Sequence, residues 1–135
     1  IWTDDEDNPF YEAAHAAYET LSNATDAKGR ALKGHKLTMP KEPVYMTQEE
    51  VDAIDVVEGT IPRTTEDVCI ASYMNFLIGN DFVLVPQYDD EYDEMALQQV
   101  QQMFPEREVV GVPTREVVYG GGNIHCITQQ QPVGV

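Results

Sequence analysis

The sequence predicts an α/β fold in which a ββαβ unit is used twice, and three observations predict it. Apolar residues recur at helical spacing in two separate stretches, Phe10 to Leu21 and Met95 to Phe104. Runs of strand character surround the second of them. An acidic cluster precedes each helix, Asp4-Asp5-Glu6 and Asp89-Asp90-Glu91, 85 positions apart, so acid cluster, helix, turn and strand occur in the same order in both halves. At 135 residues the chain suits one domain, because two would each fall near the marginal size limit.

In order along the chain, Ile1-Trp2-Thr3 reads as the end of a strand already under way, and with Ile rather than Met at position 1 and no signal-peptide pattern the chain reads as a fragment. The first helix carries Phe10, Ala13, Ala14, Ala17, Tyr18 and Leu21 on one face and stops at Ser22-Asn23, with its acids at the positive N-terminal end. Asp26-Ala27-Lys28-Gly29 is a turn, and Ala31 to Leu37 follows as an expected strand that Pro40 and Pro43 end. Thr47-Gln48-Glu49-Glu50 is a capping box opening a short helix, and a long loop containing Gly59 and Pro62 comes next. Cys69 to Leu77 and Phe82 to Val85 are expected strands joined at Gly79-Asn80-Asp81. Met95, Leu97, Val100, Met103 and Phe104 form the stripe of the second helix, which Pro105 stops, and Val109 to Val112 is the next strand.

Charge and cysteine usage bound the function. Eight basic residues against 24 acidic ones give a net charge of −16, a field that repels phosphate backbones and anionic membrane surfaces, so nucleic acid and membrane are not expected partners. The same field weakly favours a small cation. No apolar run approaches the roughly 18 residues a membrane span needs. Two cysteines 57 positions apart could form at most one bridge, which suits a reducing cytoplasm better than a disulfide-built secreted domain.

The stretch with the clearest chemical character is Gly120-Gly121-Gly122-Asn123-Ile124-His125-Cys126-Ile127-Thr128-Gln129-Gln130-Gln131-Pro132. Three glycines permit positive φ and close backbone approach, so a substrate could lie against the main chain just ahead of a strand that starts at Cys126. By residue type alone, a buried free cysteine beside a glycine turn is the favoured reading, since an unpaired Cys is usually a small core hydrophobe. On a strand, His125 and Cys126 would point to opposite faces, which argues against an imidazole–thiol pair. His15 and His35 read as surface residues. The triplet does not match GxGxxG or a P-loop. Cys69, His125 and Cys126 lack the spacing of a zinc site, and the acid clusters lack that of a calcium loop.

That string resembles the C-terminal active-site signature of the agmatine deiminase family, within the guanidine-modifying pentein superfamily. Supporting segments stand in the matching order: Trp2-Thr3-Asp4-Asp5, Thr25 to Arg30, Glu58 to Arg63, Ala71 to Phe76 and Phe104 to Gly111. The resemblance implies a five-bladed pentein-type α/β propeller of ββαβ units, with residues 1–135 corresponding to about its last two blades, the C-terminal part of a single catalytic domain. It implies hydrolysis of agmatine, a small cationic guanidine, to N-carbamoylputrescine and ammonia in putrescine biosynthesis. It also implies a cytoplasmic homo-oligomer that needs no metal or cofactor. Cys126 matches the nucleophile; Gly120, Gly121, Gly122 and Asn123 match residues that shape its segment; and Ser72, Tyr73 and Asn75 match a supporting strand. The family's His-x-Asp pair falls ahead of the stretch matching Trp2-Thr3-Asp4-Asp5. A bacterial-type peptidylarginine deiminase and a non-catalytic interaction module are the alternative readings, and the chain alone is expected to be inactive.

Overall fold

The computed structural model describes residues 1–134. Its elements, in order, are α1 (Tyr11–Ser22), α2 (Gln48–Asp52), β1 (Leu77–Ile78), β2 (Phe82–Gln87), α3 (Asp93–Met103), β3 (Glu108–Pro113) and α4 (Arg115–Val118). One sheet holds the strands in the order β1-β2-β3. β1 pairs antiparallel with β2 through Leu77↔Leu84 and Ile78↔Val83, across the expected turn at Gly79 to Asp81. β2 pairs parallel with β3 from Phe82↔Glu108 to Gln87↔Pro113, and α3 supplies the crossover such a pair requires. Val83, Val85, Ala96 and Val100 are the fully buried contacts of this layer, joined by Leu37, Val44, Tyr73, Tyr88 and Val118 in one core. Burying those side chains is what fixes α3 against the sheet, since each fully buried valine contributes about 1.5–3 kcal/mol on leaving water.

β1, β2, α3 and β3 make one complete ββαβ unit. The first half reproduces it only in part. α1 stands between two segments that meet in a single parallel bridge, Trp2↔Thr38, with the Trp2 N–H donating to the Leu37 carbonyl at 2.8 Å. The expected strand Ala31 to Leu37 is therefore absent. Among the described residues its backbone has no neighbouring strand to pair with beyond that bridge and an antiparallel one at Thr25↔Ala31, and an unpartnered strand is not stable. Its side chains serve instead to cover aromatics: Lys36 Nζ sits 3.3 Å above the Trp2 ring, and Gly34 leaves room for the Tyr18 ring. His15 is also no simple surface group, because it stacks on Trp2 at 4.0 Å between ring centroids.

The expected strand Cys69 to Leu77 survives only as β1. Residues 69–76 spend their backbone groups on short turns, with Ala71 N–H donating to Cys69 O and Asn75 N–H to Ser72 O, and on the Tyr88 side chain. No strand begins at Cys126 either: residues 119–127 coil through successive turns, closed by Ile127 N–H to Asn123 O and Thr128 N–H to His125 O. The capping box does form, with Thr47 Oγ1 accepting from the Glu50 N–H and the Glu50 carboxylate accepting from the Thr47 N–H. Among the described residues no helix is long and apolar enough to cross a membrane.

Candidate active site

Cys126 stands on an exposed turn, and its two hydrogen-bonding groups are both held by one side chain. Asn75 Oδ1 accepts from the Cys126 N–H at 3.2 Å, and Asn75 Nδ2 donates to Sγ at 3.0 Å. The His125 N–H donates to the Asn75 carbonyl at 3.1 Å, which ties the turn to the 69–76 segment along both main chain and side chain. These bonds, first from the Asn75 amide and then from the Asn123 backbone, favour the charged sulfur and pull the Cys126 thiol below its ordinary value. Cys69 is the opposite case: half-buried below the core, its thiol is pushed up by burial. The expectation of a buried, inert cysteine therefore suits Cys69 and not Cys126.

The glycine triplet divides by position. Gly121 has φ +86, the left-handed region where a side chain is strained. A Cβ on Gly122 would lie 2.8 Å from Cys126 Cβ and 3.0 Å from Sγ, so the absence of a side chain is what lets the turn fold back over the cysteine. At Gly120 the nearest atom would be Val117 O at an ordinary 3.5 Å. Asn123 is fully buried and structural in its bonding: Nδ2 donates to the Tyr88 hydroxyl at 3.1 Å, and Oδ1 accepts from the Ile124 N–H.

Behind the turn lies a polar frame of which sequence reasoning found only one side. The Tyr88 hydroxyl accepts from the Ser72 N–H at 2.9 Å and lies 3.2 Å from the Ser72 carbonyl, while also receiving Asn123, so it joins the two segments that meet at Cys126. Burial drives its phenol up to about 12, which keeps it neutral and available as donor. Tyr73, buried, donates to Asp93 Oδ1 at 2.7 Å, and burial followed by that bond raises its phenol too. Asp93 also accepts the N–H groups of Tyr88, Asp89 and Asp90 at the start of α3. The signal that could have pointed here is the Tyr-Asp-Asp run between a strand and a helix, where an acid is needed to gather loose N–H groups.

A cleft of about 300 Å³ opens beside Cys126, lined by Ile70, Ser72, Met74, Asn75, Gly121, Gly122 and His125. Arg63 packs against Gly121 from a separate small pocket that Cys69, Val118 and Tyr119 also line, with Nη2 3.6 Å from where a Cβ on Gly121 would be. Arg107 and Arg115 are committed elsewhere, to the Gly79 carbonyl and to Tyr45 O with Glu50. Among the described residues no hydrogen bond joins the His125 imidazole to the thiol. No cluster of three or more His, Cys, Asp or Glu among them is placed to hold a metal ion, so Cys69, His125 and Cys126 do not form one. An exposed, hydrogen-bonded thiol of lowered pKa beside a cleft is suited to nucleophilic attack on an electrophilic carbon.

The sequence model of the Porphyromonas-type peptidyl-arginine deiminase family matches residues 1–132. A Lactococcus lactis protein provisionally designated an agmatine deiminase is 66% identical over 132 residues, covering 98% of this chain and 36% of its own length. The agmatine deiminase of Pseudomonas aeruginosa is 52% identical over 131 residues, covering 97% of this chain and 35% of its own. Among solved structures, an agmatine deiminase of Enterococcus faecalis described as catalysing its reaction superposes with a TM-score of 0.90 at 60% identity, over 98% of this chain and 36% of that one. The chain thus spans about a third of the length of the relatives it matches. With a family match that runs almost end to end and a fold shared with its solved relatives, the chain belongs to the Porphyromonas-type peptidyl-arginine deiminase family.

Proposed function

We propose that the protein carrying this chain is an agmatine deiminase and that Cys126 is its nucleophile. The observation that carries the reading is the Cys126 turn itself: an exposed sulfur, hydrogen-bonded by Asn75 and beside an open cleft, in a chain about 50–66% identical to proteins named for that activity. The thiolate attacks the guanidinium carbon and forms a C–S bond, and the tetrahedral adduct expels ammonia once its nitrogen is protonated. Water then adds to the resulting S-alkylthiouronium carbon, loses a proton, and breaks the C–S bond. N-carbamoylputrescine and the free thiolate result, so agmatine and one water give that product and one ammonia. The sequence contains no His-x-Asp, so the proton carrier the family pattern places ahead of Trp2 is expected from the length of the relatives that this chain does not span.

Peptidyl arginine is the second reading, and the family's own description favours it. Agmatine is a dication with no carboxylate, which an acidic protein of net charge −16 attracts, whereas free arginine needs a basic partner. Of Arg63, Arg107 and Arg115, it is Arg63 that packs against Gly121, a residue of the cleft wall, and among the described residues it makes no salt bridge. In the intact protein, Cys126→Ser is expected to abolish ammonia release from agmatine and Cys69→Ser to leave most of it. The reverse result would remove the assignment. Agmatine is expected to exceed an arginyl peptide in kcat/KM by about 100-fold, roughly 2.7 kcal/mol of transition-state discrimination. Equal or faster turnover of the peptide would move the reading to the peptidylarginine branch.

A further inference from the structure

The Asn75 amide can be oriented in only one way. A backbone N–H can only donate, so the group that meets the Cys126 N–H must be the amide oxygen, and this commits the amide nitrogen to Sγ. Backbone bonds hold that orientation: the Asn75 N–H donates to Ser72 O, and its carbonyl accepts from the His125 N–H. The sulfur therefore always faces a donor. A thiol can tolerate that through a lone pair, but a hydrogen bond to a charged acceptor is about twice as strong as one between neutral groups. We propose that Asn75 is a positioning residue that holds Cys126 as a thiolate, by presenting a fixed N–H donor to Sγ while the same amide fixes the cysteine backbone. The proposal rests on the reading of Cys126 as nucleophile and adds to it the source of its ionisation.

Among side chains, the surroundings leave that role to Asn75, with the Asn123 backbone as the lesser contributor. The titratable groups joined to this turn by sequence or hydrogen bonds are His125, next to Cys126, and the Tyr88 phenol, which reaches it through Asn123 and through Ser72. Neither hydrogen-bonds to Sγ among the described residues. Arg63 packs against Gly121 and does not line the cleft. A lowered thiol is in keeping with this arrangement, with the Asn75 amide as its largest cause.

The test is the pH dependence of Cys126 alkylation by iodoacetamide in the intact protein, followed by peptide mass spectrometry with Cys69 as internal reference. Asn75→Asp keeps the shape and the acceptor for the Cys126 N–H but turns a carboxylate oxygen toward the sulfur. Its alkylation half-point is expected to rise by at least about one pH unit, and that of Asn75→Ala by less, while the Cys69 profile stays in place. A residue that merely supports the fold would leave the Cys126 half-point unmoved in a folded variant, and that result would overturn the proposal. Should neither variant fold, the unmodified protein decides: a Cys126 half-point at or above about 8.5, the ordinary thiol value, also overturns it. Alkylation needs no turnover, so the two readings fail separately. A wrong nucleophile shows as activity retained in Cys126→Ser, and a wrong role for Asn75 as an unmoved profile with Cys126→Ser still inactive.

Discussion

At the scale of single residues, the glycine triplet separates what composition can tell from what geometry adds. Three consecutive glycines announce a backbone constraint, yet nothing in their sequence says which of them bears it. The structure gives each a different expected outcome. Gly120→Ala meets only an ordinary contact and should leave stability and activity nearly unchanged. Gly121→Ala forces a side chain into the left-handed region and should cost about 1 kcal/mol in denaturant unfolding. Gly122→Ala would put a methyl within 3.0 Å of Sγ, so the cysteine must move, and activity should fall at least about 10-fold while the fold persists. Equal effects at all three positions would refute this assignment. Asn75 was legible only through its place in a family-like segment, and its bonds to Cys126 were not, because 51 positions separate the two.

At the scale of elements, what could be read from the sequence was what is locally determined. The Thr47 to Glu50 box, the two helices and the Gly79 to Asp81 hairpin each depend on residues a few positions apart, and each is present, although of the stripe expected on the first helix only Ala14 is buried while Phe10 and Leu21 stand exposed. The strands expected over 31–37 and 69–77 depend on a partner, and there the backbone found turns and side chains instead. The box also gives a pH prediction. Glu50 is drawn down to about 2, chiefly by the Thr47 N–H and then by the Tyr119 hydroxyl, with Arg115 nearby. A carboxylate depressed in the folded state adds stability that is present above its unfolded value and is lost as pH falls through its folded one. Stability of the native protein should therefore decline between about pH 4.5 and 2, and Glu50→Gln should flatten that decline in acid denaturation. Asp93→Ala tests the frame at α3: it strands the buried Tyr73 hydroxyl and frees the Tyr88 loop, and should cost about 1–3 kcal/mol in thermal unfolding.

At the scale of the molecule, one complete ββαβ unit and a partial one stand side by side, joined by a core that runs from Leu37 to Val118. The repeat of acid cluster and helix is present, but the ββαβ unit expected in the first half is only partial, since sheet pairing there is limited to isolated bridges such as Trp2↔Thr38 and Thr25↔Ala31. Apolar side chains such as Val56, Val57, Ile61 and Ile70 stand exposed, and β1 and β3 are open sheet edges. The 135-residue chain prepared alone is accordingly expected to self-associate in sedimentation and to show no turnover of agmatine, for want of a positioned proton carrier. Steady turnover by its monomer would contradict that. Everything proposed for the whole protein meets in a covalent bond at one atom. Mass spectrometry of the intact protein, quenched by acid during turnover of agmatine, should find the substrate-derived thiouronium on the peptide containing Cys126 and none on the peptide containing Cys69; turnover with no adduct at Cys126, or an adduct on another residue, would contradict the account.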